Sequence, residues 1–259
     1  MILARLTRAV REQNWFAVAL EFVIVVAGVL LAFQISAWSA QRADRTYAMD
    51  ILDRFHAELV TIETVRSRGR SGLQTVIRDL DSARPVILGV SDRTALTAEE
   101  CNSLGRSHDV TPPADQLPTL DELMQSGSLR VVRSSTLRRS ASSAYAMIAA
   151  GDEFWASLSP RLDNLSETIP AAIRPVLARR ESESDSASAT WTTTFRCDLA
   201  VMQARSDFQS AFLDNREVLM AINGFNNASI DAILRQLHAA VDDELELDHA
   251  PIGNEEALQ

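Results

Sequence analysis

Between Trp15 and Trp38 the chain reads WFAVALEFVIVVAGVLLAFQISAW, and 20 of these 24 residues are apolar, the exceptions being Glu21, Gly28, Gln34 and Ser36. As a helix rising 1.5 Å per residue, the stretch is about 36 Å long, enough to cross a hydrocarbon core of about 30 Å with a tryptophan near each interface. Residues 15–38 are therefore the expected transmembrane helix, with Trp15 and Trp38 as interface anchors in the lipid bilayer. A cleaved signal peptide is the competing reading, because Arg5, Arg8 and Arg11 form a basic leader before the apolar run. The run exceeds the roughly 7–15 residues of a signal core, and the small-residue site at Ala37 and Ser39 is a poor one, which favours a retained anchor. Three arginines precede the span and two, Arg42 and Arg45, follow it closely. That bias makes residues 1–14 a cytoplasmic basic leader of an inner (plasma) membrane protein and places the C-terminal domain in the periplasm or extracellular space.

Polar and small residues inside the span share a face. Glu21, Gly28 and Ala32 are separated by seven and four residues, so Gly28 and Ala32 form a small-xxx-small pair and Glu21 is placed to hydrogen-bond across it. This face is the candidate for self-association in the membrane. The bland reading leaves Glu21 snorkelling to the inner interface.

The run from Leu20 to Trp38, with Glu21, Gly28, Ala32, Gln34, Ile35 and Trp38 in register, resembles the opening of a bacterial family of uncharacterised single-pass membrane proteins. Leu20, Ser36, Ala37 and Ser39 depart from that family's pattern. Leu120-Asp121-Glu122-Leu123 through Ser126-Gly127 to Leu129, continued by Leu137-Arg138, is similar to a later family segment. The resemblance implies a helical extracytoplasmic domain and no catalytic residues.

Composition narrows the remaining choices. The 259 residues are 46% apolar and 23% charged, which fits neither a disordered chain nor a polytopic membrane protein. The net charge is -10, and all 25 basic residues are arginine. A nucleic-acid partner is not expected, since phosphate binding calls for a basic surplus. Most of the deficit lies at the C-terminal end, after Arg235, and residues 246–259 form an acidic tail.

Beyond the span, Leu52, Phe55, Leu59, Ile62, Leu73, Val76 and Leu80 follow a three-four alternation typical of coiled coils, interrupted where Arg66 and Gly69 occupy core positions. Arg84-Pro85 is expected to end this helix. Residues 83–118 and 181–190 read as loops, the first rich in proline and glycine, the second in serine and charge. Between them, Thr119 and Glu122 have capping-box spacing before a helix that Gly127 stops, and Leu129 to Val132 reads as a brief extended piece. A helix from Ser135 or Thr136 to Leu158 follows, then a segment from Leu162 to Leu177, read as helical and kinked at Pro170 and Pro175. An apolar stripe from Leu199 to Leu245 gives a last long helix, with a break at Gly224 to Asn227. The expected fold is all-α, a single N-terminal transmembrane helix followed by an elongated helical bundle over residues 39–245. No later apolar run is long enough to recross the bilayer, so any signal must pass through oligomerisation or partners.

Few residues suggest chemistry. Cys101 and Cys197 would form a disulfide in an oxidising compartment, the alternative being two buried thiols. Glu246-x-x-His249 has di-iron spacing and Asp53-x-x-His56 is a degraded copy, but further inward-facing glutamates are required, so no metal or other cofactor is expected. His238 and Asp242 read as an i, i+4 surface pair. Asp121 and Glu122 are explained by capping, and no nucleophile elbow, Walker loop or dinucleotide motif occurs, so no catalytic residue is assigned and an enzyme is not expected. The leading expectation is an interaction or scaffolding component of the cell envelope, associating with itself or another membrane protein. The alternative is a ligand-binding sensory module acting through a partner, with a polar-lined pocket between helices.

Overall fold

The computed structural model describes residues 15–113, 116–130, 132–180 and 190–247, and its described part is mainly α-helical. Residues 1–14, expected to be a basic leader, and the tail beyond residue 247, which holds His249, lie outside the described residues, as does the 181–190 linker except for Thr190.

Helix α1 (Trp15–Ile87) is one uninterrupted element, so no break occurs at Ser39 to Arg45. Its beginning belongs to a first compact unit, residues 1–50, and its remainder to a second, residues 51–259. In the first unit, side chains from Val18 through Trp38 are exposed, Phe33 to 76%, an apolar surface not covered by the rest of the described chain. Among the described residues this is the one helix long and apolar enough to cross a membrane. Trp15 opens the helix. Trp38 has the Arg42 guanidinium 5.6 Å from its ring centroid, a cation–π pairing suited to a headgroup boundary.

In the second unit, Leu52, Phe55, Leu59 and Leu80 on α1 are fully buried, Ile62 nearly so, and Leu73 and Val76 pack partly against the core. Most of the apolar stripe is thus taken up by packing within the chain. Pro85 does not end α1. It lies within the last turn, and its carbonyl accepts the N–H groups of Val90 and Ser91.

The expected loop at 83–118 contains a helix, α2 (Ala98–Gly105), with a complete capping box: Thr97 Oγ1 accepts the Glu100 N–H while the Glu100 carboxylate accepts the Thr97 N–H. The box expected at Thr119 is not formed. Helix α3 (Pro118–Ser126) starts with Pro118 in its first turn and Leu117 at the N-cap, without a side-chain cap. Glu58 of α1 accepts the Thr119 N–H at 3.1 Å, and Glu122 faces Arg54 at 3.3 Å. Ser128–Arg130 form a 3-10 turn rather than an extended piece. Helix α4 (Ser135–Leu158) is capped by Ser134.

The segment expected to be helical to Leu177 is helical only at α5 (Leu165–Thr168). From Ile173 the chain is extended: β1 (Ile173–Arg180) pairs antiparallel with β2 (Thr190–Cys197), with Pro175 opposite Phe195. Thr190-Trp191-Thr192-Thr193-Thr194-Phe195 is rich in β-branched and aromatic residues, and a two-stranded ribbon has only edges, where a proline lacking its N–H is tolerated. The hairpin docks on α2. Asn102 Oδ1 accepts the Phe195 N–H at 2.9 Å, Arg106 donates to the Thr193 carbonyl at 2.8 Å, and Cys101 is bonded to Cys197 across a sequence separation of 96. Gly105 is required there: a Cβ would stand 2.3 Å from Phe195 Cγ.

The last long helix is four pieces: α6 (Leu199–Ala204), α7 (Ser206–Ile222), a π-helical stretch (Asn223–Ser229) and α8 (Ile230–Leu245). The π-helical stretch covers the break expected at Gly224 to Asn227. Phe208, Phe212, Leu219 and Met202 join Leu80, Ile87, Leu104, Leu165 and Ile173 in the main core.

Candidate functional site

Arg66 and Gly69, the two interruptions of the apolar stripe, mark the site. Arg66 is buried, its side chain 2% exposed, and its Nε donates to Asp231 Oδ1 of α8 at 2.7 Å. Arg70, one turn on, donates to Asp231 Oδ2. A buried guanidinium needs such a partner because desolvation of a lone charge is prohibitive. Gly69 and Gly72, by contrast, face open space, with nothing within 4 Å of a Cβ at either position.

That space is a cleft of about 360 Å³. Leu73, Val76, Leu219, Ile222 and Trp155 supply apolar walls, Pro112 and Pro113 close one side, and Arg66, Arg70, Arg106 and Asp109 contribute charge. Three arginines and one aspartate line it, and with Asp231 counted the local balance is still one positive charge. Ser107, also on the wall, is held by Asn215, a fully buried residue whose Nδ2 donates to Ser107 Oγ at 2.9 Å and to the Asp163 carbonyl at 2.8 Å while Oδ1 accepts the Asp163 N–H. Neither Asn215 nor Ser107 was marked by any motif. The signal available in the sequence was Asn215 lying among Phe208, Phe212 and Leu219 on the buried face of α7.

The ion pairs at Asp231 open a polar seam between α1 and α8. Seven residues beyond Asp231, His238 is buried, with Nδ1 3.1 Å from Glu63 Oε1 and Nε2 3.6 Å from Asp242 Oδ1. His56 Nε2 stands 3.3 Å from the same Asp242 oxygen, and the two imidazole rings meet edge-on at 5.0 Å. His238 is therefore buried and Asp242 half-buried against α1, rather than both lying on the helix surface. The Glu63 carboxylate, reinforced by Asp242, holds the His238 imidazolium above its ordinary pKa against the opposing effect of burial.

The remaining expected site residues lie elsewhere. Glu21, Gly28 and Ala32 are exposed on the apolar part of α1, and a Cβ on Gly28 would meet nothing within 4 Å. Glu246 adopts a left-handed conformation at the end of α8. No family model, curated protein or solved structure matches this chain.

Proposed function

We propose that the chain is a membrane-tethered binding module whose helical domain, outside the cytoplasm, holds a small carboxylate with an apolar body in the cleft beside Arg66 and Arg70. The carrying observation is the cleft itself: apolar walls, an excess of guanidinium, and two glycines, Gly69 and Gly72, that keep it open. Pockets of about 300–1,000 Å³ with a few polar groups on apolar walls are the usual form of small-molecule sites, and guanidinium forks match carboxylates bidentately. Arg70 is 29% exposed and shares Asp231 with Arg66, so it can turn toward an incoming anion at little cost. The Cys101–Cys197 bond and the arginines at positions 5, 8 and 11 support the outward orientation.

The test is titration of the full chain in detergent with octanoate and with octanol, read by Trp155 fluorescence against a Trp155→Phe control. Saturable quenching by the carboxylate, weakened at least about tenfold in Arg70→Leu and abolished by Gly72→Leu, which fills the cleft, is the expected outcome. Equal responses to acid and alcohol would refute it.

A second function, self-association, is supported by the open Gly28 face, since a glycine with no neighbour in its own chain lets another helix approach closely. The resemblance to single-pass envelope proteins agrees with both readings. The two are compatible: ligand occupancy in the cleft is reported through a partner in the membrane.

A further inference from the structure

The end of the seam away from the cleft has a different chemistry. We infer that His56, His238 and Asp242 form a binding site for a divalent transition-metal ion of the zinc class, with Glu63 orienting His238, independent of the cleft and its ligand.

The geometry comes first. The three side chains each bring one donor atom into a group whose members lie within 4.8 Å of one another. Zinc bonds to imidazole nitrogen and carboxylate oxygen are about 2.0–2.2 Å long, so two ligands on a tetrahedral ion stand about 3.3–3.5 Å apart. His56 Nε2 to Asp242 Oδ1 is 3.3 Å and His238 Nε2 to the same oxygen is 3.6 Å. An ion needs almost no rearrangement of those two edges. His238 and Asp242 come from successive turns of α8 and His56 from α1, so the site is assembled only when the two helices are packed.

The donor set selects the ion. Two imidazoles with one carboxylate suit zinc and its neighbours, whereas calcium and magnesium call for shells built largely of oxygen. Water completes the fourth position in such three-ligand sites. Glu63 adds the outer partner expected around a metal-bound histidine. It sits 3.1 Å from His238 Nδ1, which biases the imidazole to present Nε2 to the ion and raises its basicity. Charge points the same way. Metal binding releases the His238 proton to solvent, so that Glu63 and Asp242 then place two carboxylates beside two neutral imidazoles in a largely buried seam, while the nearest arginines along α1 toward the cleft, Arg66 and Arg70, are engaged by Asp231. A dication balances them.

The full-length protein in detergent, stripped with a chelator and dialysed, is to be titrated with Co2+ followed by visible absorption, and with Zn2+ against a chromophoric chelator. One equivalent per chain with the intense bands of four-coordinate cobalt, displaced by zinc, is the expected result. His56→Gln and Asp242→Asn should abolish those bands while circular dichroism stays that of the parent. Glu63→Gln should keep the bands but weaken affinity about 10–100-fold. A cobalt spectrum that remains that of the hydrated ion overturns the inference, and so does zinc affinity unchanged in both ligand variants. Octanoate binding in the cleft is expected to persist in His56→Gln, which separates this site from the proposed function.

Discussion

Replacing Asp231 by asparagine keeps the shape of the buried cluster and removes the carboxylate that Arg66 and Arg70 share. Arg66 is 2% exposed and cannot reach water without unpacking α1 from α8, whereas Arg70, 29% exposed, can swing out. At an effective dielectric of about 20 a contact ion pair is worth about 4 kcal/mol, and breaking a buried pair by deleting one partner costs about 3–5 kcal/mol. Against a typical domain stability of about 5–15 kcal/mol, that loss should lower the midpoint of thermal unfolding by about 10 °C. The complementary variant removes both charges. Arg66→Met with Asp231→Leu should restore stability to within about 1–2 kcal/mol of the parent, because well-packed apolar residues replace buried ion pairs at little cost. Urea unfolding in detergent, followed by circular dichroism, of the parent, Asp231→Asn, and the cycle of Arg66→Met, Asp231→Leu and their double variant gives these values. A cost below about 1 kcal/mol for Asp231→Asn would refute the reasoning, as would a double variant no better than the single ones. The restored double variant keeps Arg70 and the cleft's balance of one positive charge, so octanoate binding is expected to persist in it.

Other consequences are direct. Gly105→Ala drives a methyl group into the Phe195 ring and should cost about 1–3 kcal/mol, relieved by Phe195→Leu, in the same unfolding assay. Reducing the Cys101–Cys197 bond frees a loop of 96 residues and should cost up to about 4–5 kcal/mol in the chain-entropy model, seen as a lower melting temperature with reductant that Cys101→Ser/Cys197→Ser reproduces without it. Glu100 is held down to a pKa of about 2, first by Arg93 and then by the Ser82 hydroxyl and the Thr97 N–H. Because its folded value is depressed, its contribution, on the order of 3 kcal/mol, is complete above the unfolded value of about 4.3 and fades as pH falls toward 2. Glu100→Gln should flatten that acid limb. Gly28→Leu should abolish a dimer crosslinked in membranes, and a product that is monomeric with or without the substitution refutes self-association through that face.

The long apolar helix was legible because twenty apolar residues within 24 suit a helix able to cross a membrane. The hairpin was not legible for a local reason. Pro170 and Pro175 read as kinks in a helix when the second is an edge-strand residue, and the threonine-rich β2 lay directly after a serine-rich stretch that resembled a linker. Thr119 and Glu122 had the right spacing for a cap, yet Glu58, 61 residues away, supplies the acceptor instead. The site was half legible. Arg66 and Gly69 stood out as breaks in the stripe, but their meaning depended on Asp231, 165 residues later, and on open space no periodicity reveals.

The seam explains why α1 and α8 meet in one register. Apolar faces tolerate sliding by a turn, about 5.4 Å, since one leucine replaces another. Polar partners do not: moving α8 by one turn would separate Asp231 from Arg66, His238 from Glu63 and Asp242 from His56, leaving buried charges unpaired at three levels. Each level therefore penalises the same wrong arrangements, and Glu244 adds a fourth by accepting the N–H groups of Arg133 and Ser134 at the start of α4. Helix α1 is thus joined to the last helix of the domain by ion pairs at one end of the seam and by the His238 cluster at the other.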